Sequence, residues 1–385
     1  MNKKVLITGA TGQDGSFMAE YLLENTDNTL ILAARRTSQS ILSNINHILN
    51  SPRVKLITLD LMDGQAICQT IKDERPDYFI NLGAQTFVAD AWKHPLQHMQ
   101  INAFSLIHIL EAVREYVPTC RVYSAGSSEQ FGNGNHSYSP RSMYGVSKCT
   151  ASLIAKVYRE SYGLYVVHGI LYNHESERRQ DYFVTRKITK GVARIKKALD
   201  SRQSFEPIEL GNLDAKRDWS HASDFVAGIW LMLNQDRFHS ITNNPESVWR
   251  YSKETDEESR LYIVSKIKDY VLASGETHSI REFVELAFEE AGIYGHWITK
   301  VQKNKLSEEY CMYEPNYKIC SPSSVKYTNT LIKINPKFYR PADVEHLCGD
   351  ATAARQELGW QPKISFNQLI KEMVQNDIGN KSKID

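Results

Sequence analysis

V-L-I-T-G-A-T-G-Q-D-G, residues 5–15, decides the fold. Val5, Leu6 and Ile7 make a short apolar strand, and residues 16–25 carry a helical pattern. Between them Gly9, Gly12 and Gly15 stand at the G-x-x-G-x-x-G spacing of a strand–turn–helix nucleotide loop. Small residues there let the backbone approach a pyrophosphate. The helix that follows offers free N–H groups and the positive end of its dipole. A glycine triplet alone is only a turn; its position at the first strand-to-helix junction makes it a cofactor loop.

Apolar strands recur over residues 29–34, 54–59, 77–82, 121–125 and 165–171, with helical patterns between them. The longest of these helices spans 95–116 and carries Asn102. Strands alternating with helices predict a Rossmann-type, doubly wound α/β fold, a parallel sheet with helices on both faces. Ligands in such sheets bind at the carboxyl ends of the strands. Gly9, Arg35, Asp60, Gly83 and Ser127 all fall at such ends. After the second strand, Arg35-Arg36-Thr37-Ser38 stand where NAD-binding folds place an acidic residue for the ribose hydroxyls. A guanidinium grips a dianionic 2′-phosphate bidentately, so the sequence predicts NADP rather than NAD. Asp60-Leu61 can reach the adenine edge, and Gly83-Ala84-Gln85-Thr86 let the backbone lie along the cofactor.

The fifth strand runs into the stretch that carries chemistry, residues 123–148. Tyr144 and Lys148 are four apart, so on a helix they share a face. An ammonium beside a phenol favours the phenolate, and a phenol so tuned acts as a base near neutral pH. Ser127 offers a hydroxyl to the same substrate oxygen. Glu129 adds a carboxylate that a plain hydroxyl oxidation does not need. Alone, Y-x-x-x-K is most often a half-buried Tyr and a solvated Lys. Its place at the carboxyl end of a strand, beside a cofactor loop, changes that reading.

The 385 residues suggest two domains, or one large domain with a satellite. Net charge is +1, with no large field to attract nucleic acid or a membrane surface. No apolar run approaches the length of a bilayer span, and the N-terminus lacks a signal-peptide core. Cys68, Cys120, Cys149, Cys311, Cys320 and Cys348 form no C-x-x-C pair. A reduced, cytoplasmic setting without a metal site is the simplest account. The Rossmann domain is expected over residues 1–172, joined by parts of 213–275. A smaller, mostly C-terminal α/β substrate-binding domain is expected over 173–212 and 276–385. Residues 236–268 are charged and irregular and read as a surface insertion; 293–335 read as irregular too. Ser279 and Glu282 make a capping box at the head of a helix over 280–291. Two amphipathic helices close the chain. Arg178, Arg179, Arg186, Lys187 and Arg217 form a local basic excess that suits an anionic ligand such as a nucleotide diphosphate.

The glycine loop, Asn102 and Y-x-x-x-K resemble those of the extended short-chain dehydrogenase/reductases. More specific are T-G-Q-D-G (11–15), R-R-T-S (35–38), N-H-E-S-E-R-R (173–179), F-V-T-R-K-I (183–188), L-G-N-L-D-A-K-R-D-W (210–219) and F-Y-R-P-A-D-V-E (338–345). Together they resemble the GDP-mannose 4,6-dehydratase family. The resemblance implies 4,6-dehydration of a GDP-sugar, with Ser127, Glu129, Tyr144 and Lys148 as the catalytic set. It implies NADP held by Gly9, Thr11, Gly12, Gln13, Asp14, Gly15, Arg35, Arg36, Ser38, Asp60, Leu61, Leu82, Ala84, Tyr144, Lys148, His174 and Arg179. It implies a GDP-sugar held by Thr86, Asn173, Lys187, Leu210, Gly211, Asn212, Arg217, Arg340 and Glu345. It also implies a homodimer or homotetramer.

Three features depart from the family pattern: Ser127 replaces Thr, Thr86-Phe87 replace Ser-His, and the loop between Gly132 and Pro140 is short. The loop and Phe87 are expected near the sugar. A related substrate such as a GDP-manno-heptose is therefore the alternative. A nucleotide-sugar reductase or epimerase is a further one, against which Glu129 argues.

Overall fold

The computed structural model describes the chain apart from residues 1, 36–38, 133–136, 236–266, 303–304, 314–326, 340–345 and 380–385. Arg36, Ser38, Arg340, Glu345, nearly all of the expected insertion and the centre of the 133–139 loop lie outside the described residues. Contacts divide the chain into two units. The first comprises 1–174, 220–276 and 347–363, and the second 175–219, 277–346 and 364–385.

In chain order the first unit begins β1 (Lys4–Thr8), α1 (Gln13–Asn25), β2 (Thr29–Ala34), β3 (Val54–Thr58), α2 (Gly64–Glu74) and β4 (Tyr78–Asn81). It continues with α3 (Pro95–Met99), α4 (Ser105–Tyr116), β5 (Arg121–Ala125), α5 (Met143–Tyr162) and β6 (Val166–Leu171). A seventh strand, Val271–Leu272, pairs with β6. The sheet order is Val271–Leu272, β6, β5, β4, β1, β2, β3, with every pair parallel. The order reverses between β1 and β4, the crevice where such sheets bind ligands. Val5, Leu6 and Ile7 are fully buried, as a strand covered on both faces requires.

The single long helix expected over 95–116 is broken. Residues Gln100–Phe104 form a π-helical turn between α3 and α4. The extra residue lets Asn102 reach out of the helix: its Nδ2 donates to the Gln85 carbonyl (3.0 Å) and to Ser147 Oγ (3.0 Å), and its Oδ1 accepts from Gln85 N (2.9 Å). One side chain thus ties the segment after β4 to α5. At its far end α5 is pinned by Arg159, which donates to both Asp269 carboxylate oxygens and to the Val166 carbonyl.

Residues 347–363, expected with the substrate domain, pack in the first unit instead. Trp360 Nε1 donates to the Asp224 carbonyl (2.8 Å), and Asp224 Oδ2 accepts from Lys363 N (2.9 Å). The Trp360 indole stands edge-on to Phe225 at 5.7 Å.

In the second unit the stretch 293–335, read as irregular, contains three strands: Gly295–Gln302, Lys305–Tyr313 and Tyr327–Ile334. They form an antiparallel meander that the short strand Ile208–Leu210 joins in parallel. Register shifts at Tyr310/Cys311 and Cys311/Tyr313 break the two-residue alternation that a sequence reading relies on. Tyr310 and Cys311 are consecutive and both buried. The helices Val184–Asp200, Ile280–Glu290 and Phe366–Gly379 complete the unit. Phe366 stacks on Trp219 and His278, and Arg186 forms a buried ion pair with Asp377. The Ser279 cap is present: its Oγ accepts from Glu282 N at 3.1 Å.

Candidate active site

The cofactor loop is shaped by what its glycines leave out. Gly9 has φ +67, and a Cβ there would lie 2.8 Å from Gly83 N, so the ends of β1 and β4 touch backbone to backbone. A Cβ on Gly15 would lie 2.2 Å from Gly9 O, so α1 starts directly on the loop. Gly12 is different: its Cβ would meet only Gly9 O, at 3.2 Å. Its open side suits a pyrophosphate. Thr8 Oγ1 accepts from Gly83 N (3.1 Å) and donates to Asn81 Oδ1 (2.7 Å), locking the two strand ends. Asn44 Nδ2 donates to the Thr11 carbonyl (3.0 Å).

Gln13 and Asp14 open α1. Gln13 Nε2 donates to Asp14 Oδ1 (3.1 Å) and to the His174 carbonyl (3.0 Å). His174 lies 2.9 Å from Asp14 Oδ2 through Nε2 and 2.7 Å from the Tyr172 carbonyl through Nδ1, with its ring stacked on Phe225. Asn173 Oδ1 is buried with no hydrogen-bond partner, a group that awaits a donor. Arg35 is exposed at the end of β2. Asp60 Oδ1 accepts from Met62 N and shapes the turn after β3. Leu61 beside it is buried, whereas Leu82, Ala84 and Thr86 are half-buried. These residues fit a dinucleotide cofactor: a glycine with room beside it, a helix N-terminus and an unpartnered amide oxygen.

The catalytic candidates meet where the N-terminus of α5 docks on the end of β5. Ser142 caps α5, its Oγ accepting from Gly145 N at 3.0 Å. A Cβ on Gly145 would lie 2.6 Å from the Glu129 carbonyl, so the first turn of α5 rests on the turn that carries Glu129. Ser127 Oγ accepts from Glu129 N (3.3 Å), and Cys149 Sγ donates to the Gln130 carbonyl (3.4 Å). Tyr144 and Lys148 are both buried, with the Lys148 ammonium 5.8 Å from the centre of the Tyr144 ring. Lys148 Nζ donates to the Ala125 carbonyl at 2.7 Å. Burial pulls the Lys148 pKa down to about 8, against a smaller upward pull from the Asp14 carboxylate. Ser147 Oγ donates to the Tyr144 carbonyl (2.7 Å) and is held by Asn102.

Behind this group lies His168, fully buried on β6. Its Nδ1 is 3.2 Å from Ser124 Oγ and its Nε2 3.3 Å from Gln130 Oε1, and burial lowers its pKa to about 4. Ser147 and His168 were not singled out from sequence, since nothing in their spacing marks them. Beyond Gln130 the chain turns at Gly132 (φ +56), and Tyr138 stacks on Phe131 and hydrogen-bonds Ser152 of α5.

The second unit holds the other expected ligand residues. Lys187 Nζ lies 3.4 Å over the Phe338 ring, and burial lowers its pKa against the opposing pull of Glu209. A Cβ on Gly211 would lie 2.8 Å from the Phe338 carbonyl, and the Leu210 carbonyl accepts from Asn335 N. Lys187, Leu210 and Gly211 therefore converge on residues 335–338. Asn212 Oδ1 accepts from Asp214 N. Arg217 is buried, its strand paired with His278–Ser279. Arg179, expected at the cofactor, lies in this unit; it pairs with buried Glu175 and stacks at 3.6 Å on Phe183.

The parallel sheet and the glycine loop make a Rossmann-type dinucleotide fold, with Tyr144 and Lys148 at the carboxyl end of β5. The structure aligns with a dTDP-glucose 4,6-dehydratase from Bacillus anthracis solved with NAD (TM-score 0.68, 18% identity, 98% of this chain and 97% of that one). It aligns similarly with a UDP-glucose 4-epimerase from Thermotoga maritima solved with UDP-glucose (TM-score 0.69, 18% identity, 97% of each chain). At such identities these likenesses show the fold. The sequence goes further. The family profile for GDP-mannose 4,6 dehydratase matches residues 6–258 and 243–373. The GDP-mannose 4,6-dehydratase of Yersinia enterocolitica is 36% identical over 395 residues, 98% of this chain and 94% of that protein. The human GDP-mannose 4,6 dehydratase is 34% identical over 388 residues, 97% and 91% respectively. The chain belongs to the GDP-mannose 4,6-dehydratase family.

Proposed function

We propose that this protein catalyses the NADP-dependent 4,6-dehydration of GDP-D-mannose to GDP-4-dehydro-6-deoxy-D-mannose, the entry step to GDP-deoxysugars. The observation that carries this reading is Glu129, two residues after Ser127 and packed beneath the N-terminus of the helix that presents Tyr144 and Lys148. Oxidation at C4 needs only a hydroxyl base; elimination across C5 and C6 needs a second acid/base group.

NADP would be held by the loop residues 9–15, Arg35, the 60–61 and 82–84 segments and Lys148, and would supply the chemistry of a reversible hydride acceptor beside the sugar. Tyr144, as phenolate, takes the O4 proton. Lys148 stabilises that phenolate, and Ser127 hydrogen-bonds O4. The resulting carbonyl acidifies C5–H, which Glu129 removes. Glu129 then delivers that proton to the departing C6 hydroxyl, which leaves as water. Asn173, Thr86, Lys187, Leu210, Gly211, Asn212 and Arg217, with Arg340 and Glu345, are assigned to the GDP-sugar. Arg35 at the end of β2 supports NADP over NAD.

A related GDP-sugar such as a GDP-manno-heptose is the second reading, favoured by the short turn at Gly132 and by Phe87. Incubation with GDP-mannose tests both. Loss of one water with no net change in NADPH supports the first; an unchanged GDP-mannose mass with dehydration of the heptose compound replaces it by the second. Exposed Leu153 and Val157, one turn apart on α5, support assembly as a homodimer or homotetramer, which light scattering measures. Among the described residues five cysteines are free thiols, which supports a cytoplasmic setting. No helix among them is long and apolar enough to cross a membrane.

A further inference from the structure

His98 is a fully buried ionisable side chain that the proposed reaction does not use. It lies on α3, is 0% exposed, and neither ring nitrogen has a hydrogen-bond partner. Its ring stands edge-on to that of Tyr144, centroids 6.1 Å apart and planes at 88°. Its Nε2 is 3.8 Å from Asp90 Oδ2. Asp90 Oδ1 is in turn 3.7 Å from Nε2 of His94. Exposure rises along this series, from 0% at His98 to 33% at Asp90 and 57% at His94. A buried imidazole with both nitrogens unsatisfied costs about 1–3 kcal/mol for each orphaned group, so its retention calls for an explanation.

The chemistry of the proposed dehydration supplies one; the inference rests on that reading. Tyr144 takes the O4 proton, but the product keeps its C4 carbonyl, so that proton never returns to O4. The C5 proton leaves with the C6 hydroxyl as water, and when C6 is reduced C5 takes a fresh proton that Glu129 has drawn from solvent. One proton enters at C5 for each that must depart from Tyr144, so the balance over a cycle is zero. Tyr144 must be emptied before the next substrate can react.

We propose that His98, Asp90 and His94 form the route by which Tyr144 gives up its proton to solvent between turnovers. The Tyr144 O–H breaks, and an N–H forms on one nitrogen of His98. The other nitrogen releases its proton to Asp90, which passes it through His94 to water. Both gaps beyond His98 are within a small side-chain adjustment of hydrogen-bond length. The ionisable groups facing His98 are Asp90 and His94 from the segment leading into α3, and Lys148 and Tyr144 from α5. Burial holds the His98 pKa below its ordinary value and Lys148 adds to that, against Asp90. The resting ring is thus held in its neutral form. In this proposal each of the three residues acts through Tyr144.

The test separates the first turnover from those that follow. With His98→Phe, rapid mixing with GDP-mannose is expected to give a first turnover close to that of the unaltered enzyme. Steady-state kcat is expected to fall about a hundredfold, with KM unchanged and partial rescue by added imidazole. Asp90→Asn, at a half-exposed position that tolerates the change, is expected to slow the steady state less and to enlarge its solvent deuterium isotope effect. First-turnover and steady-state rates that fall together in His98→Phe overturn the proposal, as does a steady state unaltered in either variant. If His98→Phe does not fold, the Asp90→Asn isotope effect decides alone. Failure of the dehydration reading would look different, because the unaltered enzyme would then release no water from GDP-mannose.

Discussion

Lys148 Nζ donates to the carbonyl oxygen of Ala125 across 2.7 Å, so the ammonium carried by α5 is fastened to the last residue of β5. That bond fixes where the positive charge stands relative to Ser127, two residues further along. Burial places the Lys148 pKa at about 8. A lysine is charged below its pKa, so the support proposed for the Tyr144 phenolate is present below about pH 8 and lost above it. kcat is expected to fall as pH rises past about 8. Asp14→Asn removes the carboxylate that favours the charged form and should move this alkaline limb to lower pH. A limb that stays in place, measured by steady-state rate against pH, refutes the assignment.

Glu129→Gln should uncouple oxidation from elimination. The amide keeps the size of the side chain but cannot take the C5 proton, and removal of one acid/base group costs about 10²–10⁴-fold. Reduced nicotinamide absorbance should build up on the enzyme, while release of the 6-deoxy product slows by about that factor. A variant that turns over at the normal rate would show that another residue is the base.

Gly12 and Gly15 should respond differently to the same small change. A Cβ at position 15 meets backbone at 2.2 Å, whereas at position 12 it meets a single carbonyl oxygen at 3.2 Å. Gly15→Ala is therefore expected to lower the melting temperature. Gly12→Ala should leave melting nearly unchanged yet weaken NADP binding about tenfold or more, read by calorimetric titration. Equal melting losses in both would remove the case for an open ligand side at Gly12.

His168 should contribute to acid sensitivity. Its pKa is about 4 in the folded chain against an ordinary 6.5, because a charged ring cannot be hydrated where it sits. As pH falls below about 6.5, the unfolded chain takes up the proton first. Stability is thus full above about pH 6.5, declines down to about pH 4, and changes no further from this residue below that. The loss amounts to about 3 kcal/mol. His168→Asn, compared by urea unfolding at several pH values, should flatten that decline.

Those features of geometry that local chemistry sets were legible in the sequence. Gly9 and Gly15 are needed for close backbone contact, and Tyr144 and Lys148 share a helix face through their spacing. Asn102 was visible as a residue but not as a tie, because the π-turn that frees it depends on partners 17 and 45 residues away. The meander over 295–334 was hidden by register shifts that place Tyr310 and Cys311 side by side in the core. The packing of 347–363 turned on one indole, Trp360, finding Asp224 far back in the chain. His98 carries no local sign at all, since only burial against Tyr144 gives it meaning.

The two units are each assembled from three separate segments, in strict alternation along the chain. No contiguous fragment contains either one. During translation the nucleotide-binding half cannot be finished when its sixth strand emerges; it must wait until Trp360 has left the ribosome. The usual order in which an N-terminal domain folds before its successor exists is therefore closed to this chain. Nonsense truncation or proteolysis after residue 276 would leave not one working half but two incomplete ones. Dividing this protein into independently expressed modules would require circular rearrangement of the gene rather than a cut.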